Sequence, residues 1–340
     1  MRNFIVMSLL GLYGLFNSTA HATTHEFYKG KTVRIVVGFS AGGGFDTYSR
    51  VISRHIGRHI PGNPTVIVEN MPGAGSLISA NHIYKVAKPD GLSIGNFIGG
   101  LLIGQILGRP GIEFDALKFE YLGVPVSDTW VCALTKASGI TSMETWLGSK
   151  TPVKLGGIGP GTGLEDAPKV LKAALGLPIQ LVSGYKGTSD IRLAAESGEV
   201  GGGCGWSWDS VKATWTKAME SGDIAVLLQM RAKPHPELPK VPLAINFAKN
   251  DEARQLIRAG THDPPAINRV YAIPPGTPKE RVQALRKAFV DTMNDGEFLA
   301  DAKKSKLDIE PLSGEEVEST VQGLFKLDAS LVAKLKEILK

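Results

Sequence analysis

Two cysteines, Cys132 and Cys204, are all that 340 residues contain, and no C-x-x-C pair is present, so the spacing of a four-ligand metal site is missing. H-E-x-x-H is absent as well. The pair His55 and His59 has helical i,i+4 spacing, but it lies beside arginines on what reads as a wet face, and no zinc is expected there. The G-x-x-x-x-G-K-[ST] phosphate loop is missing, and Gly42-Gly43-Gly44-Phe45-Asp46-Thr47 lacks the last glycine of G-x-G-x-x-G, which argues against nucleotides. Neither sign of charge dominates. Lys and Arg number 38 against 33 Asp and Glu, a net +5, and they are scattered without interleaved aromatics, so no nucleic-acid partner is expected. Beyond the N-terminus no apolar run approaches the roughly 20 residues that span a bilayer. Low-complexity tracts and short-period repeats are also lacking.

What is present reads as an ordinary soluble α/β protein, with 43% hydrophobic and 21% charged residues and enough length for two lobes. The N-terminus differs. Arg2, the apolar stretch from Phe4 to Phe16 and Ala20-His21-Ala22 have the order of a secretory signal peptide over residues 1–22, cut after Ala22. That apolar stretch is too short for an anchor, and no cysteine follows it to carry a lipid. Removal deletes Arg2 and no acid, leaving +4. An oxidising compartment would permit Cys132 and Cys204 to pair; both a bond and two buried free thiols remain open.

Val33-Arg34-Ile35-Val36-Val37 reads as a buried strand running into Gly38-Phe39-Ser40-Ala41-Gly42-Gly43-Gly44-Phe45-Asp46 and then into an amphipathic helix with Tyr48, Val51, Ile52, Ile56 and Ile60 inward. Such a loop can cradle an anion. The first amides of a helix lack internal acceptors, the peptide dipoles add there, and glycines let a ligand approach the backbone. A second copy follows at Val153-Lys154-Leu155-Gly156-Gly157-Ile158-Gly159-Pro160-Gly161-Thr162-Gly163. Two cradles imply one anion held from two sides. Thr65 to Glu69 and Leu92 to Ile98 read as further strands, and Ile224 to Gln229 as a run that carries the chain back through a hinge. Thr277-Pro278-Lys279-Glu280 and Ser313-Gly314-Glu315-Glu316 read as capping boxes heading helices that cover the first lobe.

Gly38-Phe39-Ser40-Ala41-Gly42 also fits G-x-S-x-G, the nucleophile elbow of a hydrolase, with His235 and His262 as candidate bases. It is, however, the first strand of the mature chain, and no earlier loop could supply an oxyanion donor. Asp46 falls in the first turn of its helix, where a carboxylate stabilises the helix; accepting a hydrogen bond from a ligand is the alternative. Trp206 and Trp208, flanking Ser207 before Asp209, fit core packing and a ligand platform equally.

In order, Gly38 to Asp46, Glu69-Asn70-Met71-Pro72-Gly73-Ala74-Gly75, Pro89-Asp90-Gly91 and Tyr185-Lys186-Gly187 resemble the extracytoplasmic solute receptors of tripartite tricarboxylate transporters, the Bug family, over nearly the whole mature chain. The resemblance implies a hinged, two-lobed periplasmic-binding-protein fold, each lobe a mainly parallel sheet flanked by helices. Lobe one would comprise residues 24–123 and 230–340, and lobe two 124–229. It implies a periplasmic protein, not an enzyme and without cofactor or metal, that closes on a small carboxylate and delivers it to the integral-membrane permease of a tripartite transporter. A receptor signalling to a sensor partner is the alternative. The ligand would be held by Phe39, Ser40, Ala41, Gly42, Gly43 and Gly44 from one lobe and Ile158, Gly159, Gly161, Thr162 and Gly163 from the other, Thr162 replacing the serines usual in the second loop. Tyr185 and Asp209 match positions near the family's cleft; at Tyr185 the bland reading is a strand-end residue packed under the loop.

Overall fold

The computed structural model describes residue 24 and residues 26–39, 41–42, 44–185 and 187–340. The expected export signal, Ser40, Gly43 and Lys186 lie outside the described residues. The β-branched run Thr32–Val37 forms β1, with Val33, Ile35, Val36 and Val37 buried. Helix α1 (Gly44–Ile56) follows and buries Tyr48, Val51, Ile52 and Ile56, the 3.6-residue spacing read from the sequence. Strand β2 (Thr65–Asn70) then runs parallel to β1, from Thr32 opposite Thr65 to Val37 opposite Asn70. After α2 (Leu77–Lys85), strand β3 (Ser93–Ile98) pairs parallel on the other side of β1. A short helix α3 (Gly100–Ile106) leads to β4 (Glu120–Val124).

Residues 125–129 carry the chain to a second group of elements. Strand β5 (Trp130–Thr135) is central there, antiparallel to both β8 (Gly202–Ser207) and β9 (Ile224–Met230). Between them come α4 (Met143–Leu147), β6 (Val153–Gly156), α5 (Gly163–Leu175), β7 (Ile179–Val182), parallel to β6, and α6 (Thr188–Glu196); α7 (Trp208–Glu220) connects β8 to β9. Cys132 and Cys204 face each other across β5 and β8, fully buried, and form a disulfide with Cα atoms 4.0 Å apart. A link between residues 72 apart in sequence constrains the unfolded chain by roughly 4 kcal/mol in the chain-entropy picture.

The apolar run at 224–230 forms a strand of the second sheet. Ala244, Ala248 and helix α8 (Asp251–Ile257) pack with β9 on the same core. The chain rejoins the first sheet only after a π-turn (Arg258–His262) and the short turn Asp263–Ala266, as β10 (Arg269–Ile273). There β10 lies antiparallel to β3 and β4, and β11 (Leu312–Ser313) is antiparallel to β4. The resulting order is β11-β4-β10-β3-β1-β2. The sheets are therefore mixed rather than mainly parallel, because β10 enters from the far side of the molecule instead of through a right-handed crossover.

Helices α9 (Lys279–Met293), α10 (Gly296–Lys304) and α11 (Gly314–Leu324) cover the first sheet. Ser313 forms the expected capping box with Glu316. Thr277 does not, because its hydroxyl donates to the carbonyl of Pro274 instead. The last helix, α12 (Ala329–Ile338), leaves the first sheet and packs on α5 and α8, where Leu335 shares an apolar cluster with Val170 and Leu256. His55, His59 and the arginines at 54 and 58 do not lie idle on a wet face; Asp295, Glu297 and Asp301 pair them with the neighbourhood of α10.

Candidate functional site

Each glycine loop is clamped by an acid from its own following helix. In the first loop the Gly42 amide donates to Asp46 Oδ2 at 2.8 Å, and Arg50 Nε donates to the same oxygen at 2.8 Å. Asn70, from the second motif, donates to Asp46 Oδ1 and to the carbonyl of Phe39, both at 2.9 Å. Burial pushes the Asp46 carboxyl up, but its bonds to Arg50, Gly42 and Asn70 outweigh that and hold it below the usual range. Asp46 is thus a structural carboxylate, and Gly42, an expected ligand donor, has its amide engaged internally. Gly38 explains how the second motif closes: a Cβ there would stand 2.2 Å from Ser76 Cβ, so the turn 73–76 can close only over glycine. The rings of Phe39 and Phe45 pack 4.3 Å apart beneath the loop.

The second loop repeats the device with different residues. The Gly161 amide donates to Asp166 at 3.1 Å, and Arg109, which follows α3 of the first group, donates to Asp166 Oδ2 at 2.7 Å. Thr162 directs its hydroxyl proton to the Gly159 carbonyl at 2.7 Å, so it offers a ligand only acceptor capacity. Ile158 packs in the apolar cluster of Leu164, Trp206 and Tyr185. Tyr185 donates its amide to the Gly157 carbonyl and its hydroxyl to Glu199. Gly163 and Gly205 touch backbone to backbone, a contact that any side chain at 205 would break. With Gly42 and Gly161 engaged, the amides without an internal acceptor among the described loop residues are those of Phe39, Ala41, Ile158 and Gly159, to which the helix starts at Gly44 in α1 and Gly163 in α5 add their own.

A buried polar network joins the two groups. Asp128 Oδ2 accepts from Arg269 Nη1 at 2.9 Å and Asn268 Nδ2 at 3.0 Å; its Oδ1 accepts from Ser207 Oγ at 2.7 Å and the Thr129 amide at 3.0 Å. Tyr48 of α1 donates to the Asp308 carbonyl at 2.8 Å and lies 3.2 Å from Asp209 Oδ2. Lys212 bridges Asp308 at 2.6 Å and Glu237 at 2.8 Å, beside a cavity of about 440 Å³ that also has Lys303, Lys306 and Leu307 in its wall. Trp208 donates to Glu237, and Trp206 is buried against Trp215, so both tryptophans serve packing. His235 accepts the Glu237 amide, and His262 is enclosed in the π-turn. Sequence reasoning missed Asp128, Arg269, Arg109 and Asp166. Arg269, a lone charge opening the apolar strand Val270–Ile273, was the one legible signal among them.

Asp209 was expected near the cleft and stands at this junction. Burial, a hydrogen bond with the Asp308 carboxyl and the charges of Asp128 and Asp308 push its carboxyl up to about 7, against the pull of Lys212. Below about pH 4 the folded and unfolded chains both carry this proton; between about 4 and 7 only the folded chain keeps it. The stability contribution of Asp209 therefore falls as pH rises through that window. Asp209→Asn is expected to flatten the fall and to stabilise the protein at pH 8 relative to wild type. Urea denaturation of both at pH 5 and pH 8 checks this, and parallel pH trends would refute it.

No family model matches the sequence. Over 335 residues the chain is 26% identical to the "UPF0065 protein in gbd 5'region" of Cupriavidus necator, spanning 95% of this chain and 92% of that protein. It superposes on the periplasmic binding protein BugD with a TM-score of 0.67 and 22% identity, over 92% of this chain and 98% of BugD. The chain has the BugD fold. A protein of R. palustris solved with adipate gives a TM-score of 0.69 at 20% identity, over 90% of this chain and 97% of that one. The resemblance read from the four ordered motifs and the α/β binding-protein architecture both hold on this BugD-like frame. Among the described residues no helix is long and apolar enough to cross a membrane.

Proposed function

We propose that the protein is a periplasmic solute receptor that captures a small carboxylate between two lobes and delivers it to the permease of a tripartite tricarboxylate-type transporter. What supports this reading is that each glycine loop opens a helix of 13 residues and that each loop-and-helix unit touches the other group of elements. Tyr48 of α1 reaches Asp209, and the carbonyl of Gly161 lies against Gly100 of α3. The lobes of this proposal are residues 32–124 with 269–324, and 130–257. Residues 125–129 and 258–268 form the hinge, tied by the Asp128 amide to the Pro265 carbonyl at 3.1 Å. The buried disulfide accords with an oxidising compartment.

Capture, not catalysis, follows from how the loops are built. Each presents backbone donors stiffened by an internal carboxylate, and hydrogen bonds to a charged group contribute about 1.5–3 kcal/mol each, so three or four suffice for the roughly 8 kcal/mol of micromolar affinity. Isothermal titration of the mature protein against acetate, succinate, adipate and citrate tests the reading. At least one is expected to bind at micromolar concentration with a rise in melting temperature. Absence of heat and of thermal shift across the panel would overturn it.

A further inference from the structure

Arg269 stands at the first residue of α1 with part of its guanidinium unused. The residue is 5% exposed, yet its Nε is buried without a partner and its Nη2 has no acceptor among the described residues. Nη1 is held by Asp128, whose two oxygens are filled by four donors and cannot turn to satisfy the rest. The guanidinium is fixed further by the rings of Tyr48 at 4.8 Å and Phe45 at 5.5 Å. Nη2 is the nearest atom to the point where a Cβ of Gly44 would stand, 3.5 Å away, and Gly44 is exposed. A buried arginine whose free edge faces the open end of a 13-residue helix is an expensive arrangement for packing alone, since each unsatisfied buried donor costs about 1–3 kcal/mol.

Resting on the carboxylate reading above, we propose that Arg269 is a specificity-determining ligand residue. One carboxylate oxygen sits on Nη2 while the other takes the amides of the first turn of α1. The two oxygens thus take different donors, a charge-assisted bond from the guanidinium on one side and helix amides on the other. Asp128 then acts as a positioning residue, since it orients the guanidinium without touching the ligand.

Three variants test this by titration with acetate, succinate, adipate and citrate. Gly44→Ala places a methyl at ordinary contact distance over Nη2 without forcing the backbone. Asp128→Asn/Arg269→Gln removes both charges together and leaves no buried ion unpaired. Arg269→Lys keeps the charge and loses the fork. For the best wild-type ligand, affinity is expected to fall about tenfold or more in each, equal to about 1.4 kcal/mol. The melting temperature of Gly44→Ala should remain near wild type. Wild-type affinity in both Gly44→Ala and the double variant overturns the proposal while leaving the carboxylate reading intact. A wild-type protein that binds none of the panel overturns the carboxylate reading and this proposal with it.

Discussion

Asp128→Ala is expected to lower the free energy of unfolding by about 3–5 kcal/mol, because it strands a buried guanidinium. The Asp128 and Arg269 side chains are 1% and 6% exposed, so water cannot replace the lost carboxylate. The damage spreads. Asn268, Ser207 and the Thr129 amide lose their acceptor at the same time, two of them in the segments that join the two sheets and Ser207 at the end of β8. Removing both charges in Asp128→Asn/Arg269→Gln should recover most of the loss, since a buried pair is often replaceable although breaking it is costly. Urea denaturation with linear extrapolation measures the three proteins. A loss under about 1 kcal/mol in Asp128→Ala would mean that the pair is solvated in practice, as exposed ion pairs are.

That pair also marks where sequence reading stops. The β1–α1–β2 unit was legible because its signals are local: a β-branched run, then Tyr48, Val51, Ile52 and Ile56 on one helical face, then a second β-branched run. The strand, glycine loop and helix order of both loops was legible for the same reason, and the capping box at Ser313 formed as read. Which loop amides remain free was not legible. Asp46 and Asp166 each reach back to their own loop, but only three-dimensional geometry shows that they remove Gly42 and Gly161 from the set of ligand donors. Arg269 meets Asp128 across 141 residues, a pairing set by where β10 re-enters the sheet. The same topology puts Ile224–Met230 beside β5, where its apolar pattern alone did not say which sheet it would join. The cysteines remained undecided until β5 and β8 were seen to pair with both in register.

Gly100→Ala is expected to weaken carboxylate binding by about 5- to 150-fold, equivalent to 1–3 kcal/mol of coupling between closure and ligand. A Cβ on Gly100 would stand 2.3 Å from the carbonyl oxygen of Gly161, and neither backbone can yield without moving its loop. Gly100 opens α3 beside the first sheet, and Gly161 belongs to the second cradle, so the clash acts between the proposed lobes and leaves each lobe's own packing alone. The space bounded by Gly100, Trp130, Gly161 and Asp166 is about 10 Å³, room for about one water, so the methyl cannot be absorbed by an existing void. If ligand binding shifts an open–closed equilibrium, the variant penalises the closed state alone and the affinity falls by that penalty. The melting temperature without ligand should stay close to wild type, and small-angle scattering should show less compaction on adding a saturating carboxylate. Unchanged affinity together with unchanged compaction would show that the two loops need not approach for binding. The ligand would then belong to the α1 cradle and Arg269 alone.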